Sequence, residues 1–334
     1  MKALLITNKG GEHAASIEVK KILNKDSELF EKYIEFKVDN FEELFKLSYF
    51  SQTAKRIVLL DDLNNWLDEK LTFCLRADKK ELERELGGEI NKEDKYKVDL
   101  ENPDIPLYNI DGKTGIDFTG DISKREYRVF TNKHTLKGTT ASVLLIEAGY
   151  NGDEILLDPF AQDGTIAIEA AHMTTNKSVR HFDWDKMKFV DFEKFKDIDF
   201  EEIFEEYEED IVEKEEKIHA TSFDMKEINA IKKNAKIANI NKELEFSRKD
   251  IDYLDQKFEE GEIDIIVSYL PRLNEKLLHE FYHQAEYIAK KVVILVDEDF
   301  ETENPYFEVE KEKDLYIGTS VKRILWLKKI PEKD

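Results

Sequence analysis

At 334 residues with 41% apolar content, the chain is long enough for two domains with full cores and too apolar to be disordered. It lacks the run of roughly 18–20 apolar residues that a bilayer-spanning helix needs, and its single cysteine, Cys74, excludes an internal disulfide and a cysteine-built zinc site, as suits a reducing cytoplasm. The net charge of −23 argues against a surface that is basic throughout, which phosphate-binding proteins usually present.

The charge is unevenly divided. Residues 1–125 carry 21 Lys/Arg against 26 Asp/Glu, whereas residues 126–334 carry 30 against 48. Within the second part, residues 183–217 hold 16 acids and 6 bases, so the acidity concentrates in one insertion. No metal site is read from the sequence.

In chain order, Lys2 to Thr7 reads as a buried first strand rather than the apolar core of a signal peptide. Gly10-Gly11 is a turn, and Ala15, Val19, Ile22 and Leu23 give the Glu12–Leu23 stretch helical spacing. Residues 42–50 predict a second helix, 56–60 a strand, and 71–76 an alternating strand that runs into the basic tip Arg76, Lys79 and Lys80. A helix from Glu81 to Leu86 is expected to stop at Gly87-Gly88, followed by Val98-Asp99-Leu100 and Asn102-Pro103-Asp104. Gly115 to Gly120 then leads into a strip, residues 124–137, with five bases and one acid: Lys124, Arg125, Arg128, Lys133 and Lys137 against Glu126. A cationic strip between two domains is a place for an RNA backbone to lie.

From residue 139 onward strands and helices alternate, which predicts a parallel sheet. Strands are expected at 154–160, 217–223, 244–247, 263–267 and 292–296, and two reversed strands at 306–315 and 320–329. Helices are expected at 139–148, 165–173, 224–239 and 275–290. In the acidic insertion, Asp183-Trp184-Asp185 reads as an apolar anchor. The paired glutamates around Ile203-Phe204 read as a solvated helix face, or alternatively as a dock for a basic protein partner.

Several of these stretches are specific. Asp158-Pro159-Phe160, three residues on Gly164-Thr165-Ile166, then Ile168-Glu169-Ala170-Ala171, together with Asn234-Ala235 and Asp250, resemble the THUMP-linked RNA methyltransferases that act on the exocyclic amine of guanosine. The Phe73–Arg76 strand, the Val98–Asp104 stretch and the Lys124-Arg125-x-Tyr127-Arg128 junction extend the resemblance over nearly the whole chain. It implies an α/β chain with two domains. Residues 1–125 would form a ferredoxin-like lead-in plus a smaller α+β THUMP-like RNA-binding domain. Residues 126–334 would form a Rossmann-like class I methyltransferase domain with a seven-stranded mixed sheet. It also implies S-adenosylmethionine as cofactor, RNA (tRNA above all) as partner, and a cytoplasmic location. Arg76, Lys79, Lys80, Lys124, Arg125, Arg128 and Lys133 would contact RNA.

The same resemblance assigns the site residue by residue. Asp158, Pro159, Gln162, Gly164 and Thr165 fall in the first cofactor turn, where Gln162 stands at a family glycine, so that its Cβ either crowds the cofactor or demands another turn. Ser222 falls at the ribose acid, with Asp224 two residues on as a substitute, and Asp250 with Ile251 falls at the adenine. The family's fourth-strand loop reads Asn-Pro-Pro-Tyr and grips the target amine and its base. Here Tyr269 replaces the Asn, Leu270 the first proline, Pro271 is kept, and Arg272 replaces the aromatic; a one-residue slip would instead offer Ser268 as the polar group. Neither register supplies two acceptors and a stacking ring. These joint changes point to an RNA methylase in architecture whose turnover is altered or lost, the alternative to an active enzyme being a non-catalytic RNA-binding or scaffold relative.

Overall fold

The computed structural model of the protein describes every residue except 68, 93–94, 133–134, 210, 213–216, 271 and 332–334. Two of the residues assigned above, Lys133 and Pro271, therefore lie outside the described residues.

The N-terminal half builds one eight-stranded sheet from β1 (Lys2–Ile6), β2 (Ser27–Phe30), β3 (Tyr33–Lys37), β4 (Arg56–Leu60), β5 (Thr72–Ala77), β6 (Lys97–Val98), β7 (Ile105–Ile110) and β8 (Lys113–Asp117), in the order β2-β3-β1-β4-β8-β7-β5-β6. Helices α1 (Glu12–Leu23), α2 (Phe41–Phe50) and α3 (Glu83–Ile90) connect them. The first four strands, with α1 and α2 between them, follow the βαββαβ plan of ferredoxin-like folds. The β2–β3 hairpin has no counterpart in the sequence reading, because Ser27–Phe30 is short and shows no clear alternation. Gly87-Gly88 do not stop a helix as expected. They lie inside α3, where nothing crowds a Cβ.

The second sheet has seven strands: β9 (Leu156–Asp158), β10 (Ile218–Ser222), β11 (Leu244–Arg248), β12 (Ile263–Tyr269), β13 (Ala289–Asp297), β14 (Phe307–Ile317) and β15 (Ser320–Lys329). Helices α4 (Gly138–Glu147), α5 (Thr165–Thr175), α6 (Phe200–Glu208), α7 (Met225–Ile237) and α8 (Glu275–Ile288) complete the chain. The order β11-β10-β9-β12-β13-β15-β14, with six strands running one way and β15 alone reversed rather than the expected reversed pair, is the class I methyltransferase topology. Leu156 pairs with both Ile218 and Ile265, so β9 is central and buried on both faces. No described helix is long and apolar enough to cross a membrane.

The acidic insertion is more than a solvated face. Its glutamates Glu201, Glu202, Glu205 and Glu206 are exposed, as expected. Its phenylalanines Phe189, Phe192, Phe195, Phe200 and Phe204, however, are buried in the core of the N-terminal sheet. Phe200 and Phe204, four residues apart on α6, present one apolar stripe, and Phe204 stacks on Tyr49 with ring centroids 4.4 Å apart. The insertion thus staples the two halves together.

A second junction is polar. Glu169 on α5 is fully buried and accepts from Arg125 Nε (2.7 Å), Tyr127 Oη (2.7 Å), Ser142 Oγ (2.7 Å) and Gln52 Nε2 (2.8 Å). Burial alone would push its carboxyl up, but Arg125 and the hydroxyl donors hold it down to about 2. Gly138 is required here, because a Cβ would stand 2.3 Å from Glu169 Oε1 and 2.7 Å from Arg125.

Candidate cofactor and RNA site

Strands β9, β10, β11 and β12 end on the same edge of the sheet, and the turns that follow them form a cleft, where an open parallel sheet places its ligands. Asp158 closes β9, 1% exposed, and its Oδ1 accepts from Ser268 Oγ at 2.6 Å and from the Phe160 amide at 3.3 Å. Burial pushes this carboxyl up to about 7, against the pull of those two bonds. A folded-state value above the ordinary 3.8 means that the group favours folding below about pH 4 and that this contribution is lost as pH rises through 7. Asp158→Asn is therefore expected to flatten the decline in stability between about pH 4 and 7, as read from urea midpoints; parallel wild-type and mutant curves would contradict it.

The first turn resolves the question raised by Gln162. Its φ is +51°, so the backbone takes the left-handed conformation that glycine adopts freely, at a cost of about 1–2 kcal/mol. The side chain folds into the cleft floor, with Nε2 3.5 Å from the Tyr269 carbonyl, and its buried Oε1 has no protein donor. Gly164 follows with φ +83° at the N-terminus of α5, where a Cβ would meet Ile231 at 3.0 Å. Thr165 is buried and donates to Asp163 at 2.7 Å. Asp158, Gly164 and Thr165 thus form the scaffold under the cleft and do not line it.

Pro159, Gln162, Ser222, Asp250 and Ile251, all assigned from the sequence, line an inner cleft of about 90 Å³. Phe223, Lys249 and Asp250 connect it to an outer pocket of about 410 Å³ that also takes in Arg248 and Tyr253. Asp224, offered by the sequence as a substitute for the ribose acid, is not brought to the cleft. Its carboxylate caps α7, accepting from the Lys226 amide at 2.7 Å, and it lines neither pocket. Two features of the cleft escape a sequence reading: Glu227 lines it from the first turn of α7, and Phe223 and Tyr253, 62% and 50% exposed, stand as aromatic walls. Helical phase after Asp224 was the available signal for Glu227. Carboxylates from Asp250 and Glu227 with the orphan Gln162 Oε1 make an acceptor-rich set, which suits the hydroxyl, amine and ammonium donors of an adenosyl amino acid.

The described side chains of the fourth-strand loop pair with other groups of the protein. Ser268 is fully buried against Asp158. Tyr269 is 9% exposed, and its hydroxyl accepts from Lys322 at 3.1 Å and donates to Asp297 at 3.4 Å. Leu270 is buried and its amide bonds to Leu295. Arg272 pairs with Asp299 at 2.9 Å and Asp297 at 3.5 Å. Both sequence registers, with Ser268 or with Tyr269 as the polar group, thus place that group in an internal bond.

The cationic set also divides. Arg76, Lys79, Lys80 and Lys124 are exposed, although Arg76 donates to the Leu100 carbonyl at 2.8 Å and lies 3.4 Å from Glu83. Arg125 is corrected: with its side chain 0% exposed and ion-paired to Glu169, it cannot meet a phosphate. Arg128 is mostly turned inward, 3.6 Å from Asp163 and bonded to Thr165 and Thr135. A strip read as surface from composition is half internal, because Arg125 and Tyr127 reach into the junction. Lys55, which no sequence pattern marked, lies close enough to Lys137 and Lys32 that, after burial, their charges pull its ammonium down.

The family described as "RMKL-like, methyltransferase domain" matches residues 125–296. The tRNA (guanine(6)-N2)-methyltransferase of Methanocaldococcus jannaschii is 29% identical over 84% of this chain and 87% of its own length. The ribosomal RNA large subunit methyltransferase K/L of Vibrio campbellii is 23% identical over 54% of this chain, a match that takes in only 31% of that protein. The crystal structure of a possible methylase from Clostridium difficile 630 superposes with a TM-score of 0.78 at 19% identity, covering 100% of this chain and 99% of that one.

Proposed function

Since the chain belongs to the RMKL-like methyltransferase domain family, we propose that it is an RNA-associated, S-adenosylmethionine-binding protein in which methyl transfer to the guanine amine has been lost. The observation that carries this reading is the fourth-strand loop, where Ser268 and Tyr269 are each committed to an internal partner and the exposed Arg272 pairs with Asp299. A guanine amine needs acceptors for its hydrogens and a ring against its base, and the side chains of the described residues of this loop offer neither.

S-adenosylmethionine supplies, when bound, an electrophilic methyl group. The chain's own residues would do the holding. Asp250 would accept from the adenine amine beside Ile251, Phe223 would cover the base, and Gln162 Oε1 would accept from a donor at the methionine end. RNA would lie along the exposed Arg76, Lys79, Lys80 and Lys124, with Lys133, and along Lys55 and Lys137 at the junction. The N-terminal half would act as a THUMP-like RNA holder, tRNA being the substrate named for the archaeal relative. A cytoplasmic site of action fits a chain with one buried free cysteine.

A second reading, an active guanosine methyltransferase, is favoured by the match to that relative over most of both chains and by the retained Asp158, Gly164 and Asp250. One assay separates them. Purified protein with radiolabelled S-adenosylmethionine and bulk tRNA is expected to transfer no methyl above blank while retaining salt-dependent tRNA binding on a filter. Transfer approaching one methyl per tRNA would establish the second reading and overturn the first.

A further inference from the structure

Two carboxylates line the inner cleft: Asp250 follows β11, and Glu227 stands in the first turn of α7, directly after β10. The end of β10 is where a ribose acid is expected, and the residue there, Ser222, is neutral. Its hydroxyl donates to Glu227 Oε2 at 2.6 Å, and its oxygen accepts from the Asp224 amide at 3.0 Å. Ser222 therefore has no proton left for a ligand and no charge to offer one. The other oxygen of Glu227 accepts from Asn132 Nδ2 at 3.1 Å, so the carboxylate is fixed from both sides and still borders the cleft beside Gln162.

Building on the cofactor reading above, we infer that Glu227 is the acid that binds the ribose of the adenosyl ligand, with Ser222 and Asn132 as its positioning residues. The acid of the second strand has in effect moved five residues along the chain, and the serine left at its old position now orients it. A carboxylate has lone pairs left beyond its two protein donors, so both vicinal hydroxyls of a ribose can bond to it. The ligand class is accordingly an adenosine with free 2′ and 3′ hydroxyls.

The test is calorimetric titration of the full chain with S-adenosylhomocysteine and with its 2′,3′-dideoxy analogue. Wild type is expected to prefer the diol by about tenfold to a hundredfold, the usual worth of hydrogen bonds to a charged group. Glu227→Gln should lose affinity for S-adenosylhomocysteine by about the same factor and cease to distinguish the two ligands. Adding Ser222→Asp to that variant should restore the preference. If Glu227→Gln melts below wild type, Ser222→Ala serves in its place, since it removes only the orienting hydroxyl and should shrink the preference severalfold. Binding by wild type with the preference unchanged in these variants would overturn the assignment of Glu227 alone. No heat from wild type at millimolar S-adenosylhomocysteine would overturn the cofactor reading, and the assignment with it.

Discussion

Glu169→Ala is expected to lower the unfolding free energy by about 3–5 kcal/mol, because it leaves the Arg125 guanidinium buried without its counter-charge. Gln52, Tyr127 and Ser142 lose an acceptor in the same step. A desolvated polar group left unpaired costs more than an average bond contributes. The folded-state value near 2 lies below the ordinary 4.5, so the stabilisation is present above about pH 4.5 and is lost as pH falls toward 2. Urea unfolding at pH 7 and at pH 3 reads both effects: a large gap between wild type and variant at neutral pH, and a smaller one in acid. A variant whose midpoint equals that of wild type at pH 7 would show that the network contributes nothing net. Glu169 and Arg125 both belong to stretches matched in sequence to the methyltransferase family, yet neither touches the cleft. Their spacing records how the N-terminal half, through Gln52, is locked onto α5.

Phe45→Ala should destabilise by a similar amount, about 3–5 kcal/mol, by opening a cavity at the centre of an aromatic cluster. Phe45 is 1% exposed, with ring centroids 5.0 Å from Phe189, 5.2 Å from Phe195 and 5.0 Å from Phe200. All three partners belong to the acidic insertion, so the loss should be accompanied by its release. Limited proteolysis is expected to cut within residues 183–209 of the variant long before it cuts wild type. Equal cleavage rates, with an unchanged thermal midpoint, would mean that the insertion does not depend on this packing.

Much of the second sheet was legible residue by residue. Leu156–Asp158 and Ile263–Val267 are mostly apolar and separated by helical periodicity, as central parallel strands buried on both faces tend to be. The position of the turn after β9 followed from Asp158 and Gly164. In the N-terminal half, the hairpin of β2 and β3 stayed hidden because the four-residue Ser27–Phe30 lies at the sheet edge with half its residues exposed. Gly87-Gly88 looked like punctuation, but glycine only weakens a helix by about 1 kcal/mol per residue, and α3 runs through them. The insertion read as acidic because composition counts its glutamates and not the side to which its phenylalanines turn.

By itself, the sequence determined the doubly wound topology, the turn after β9 and the departure of the fourth-strand loop from the family motif, since each depends on local periodicity or on residues adjacent in the chain. Only the tertiary structure decided which charges meet solvent and which acid faces the cleft. Arg125 looks like a phosphate contact until Glu169, 44 residues away, claims it. Ser222 looks like an empty subsite until a turn of α7 brings Glu227 to its hydroxyl. The physical reason is common to both: a charge acquires its role from its partner and its burial, and neither is written in the neighbouring residues.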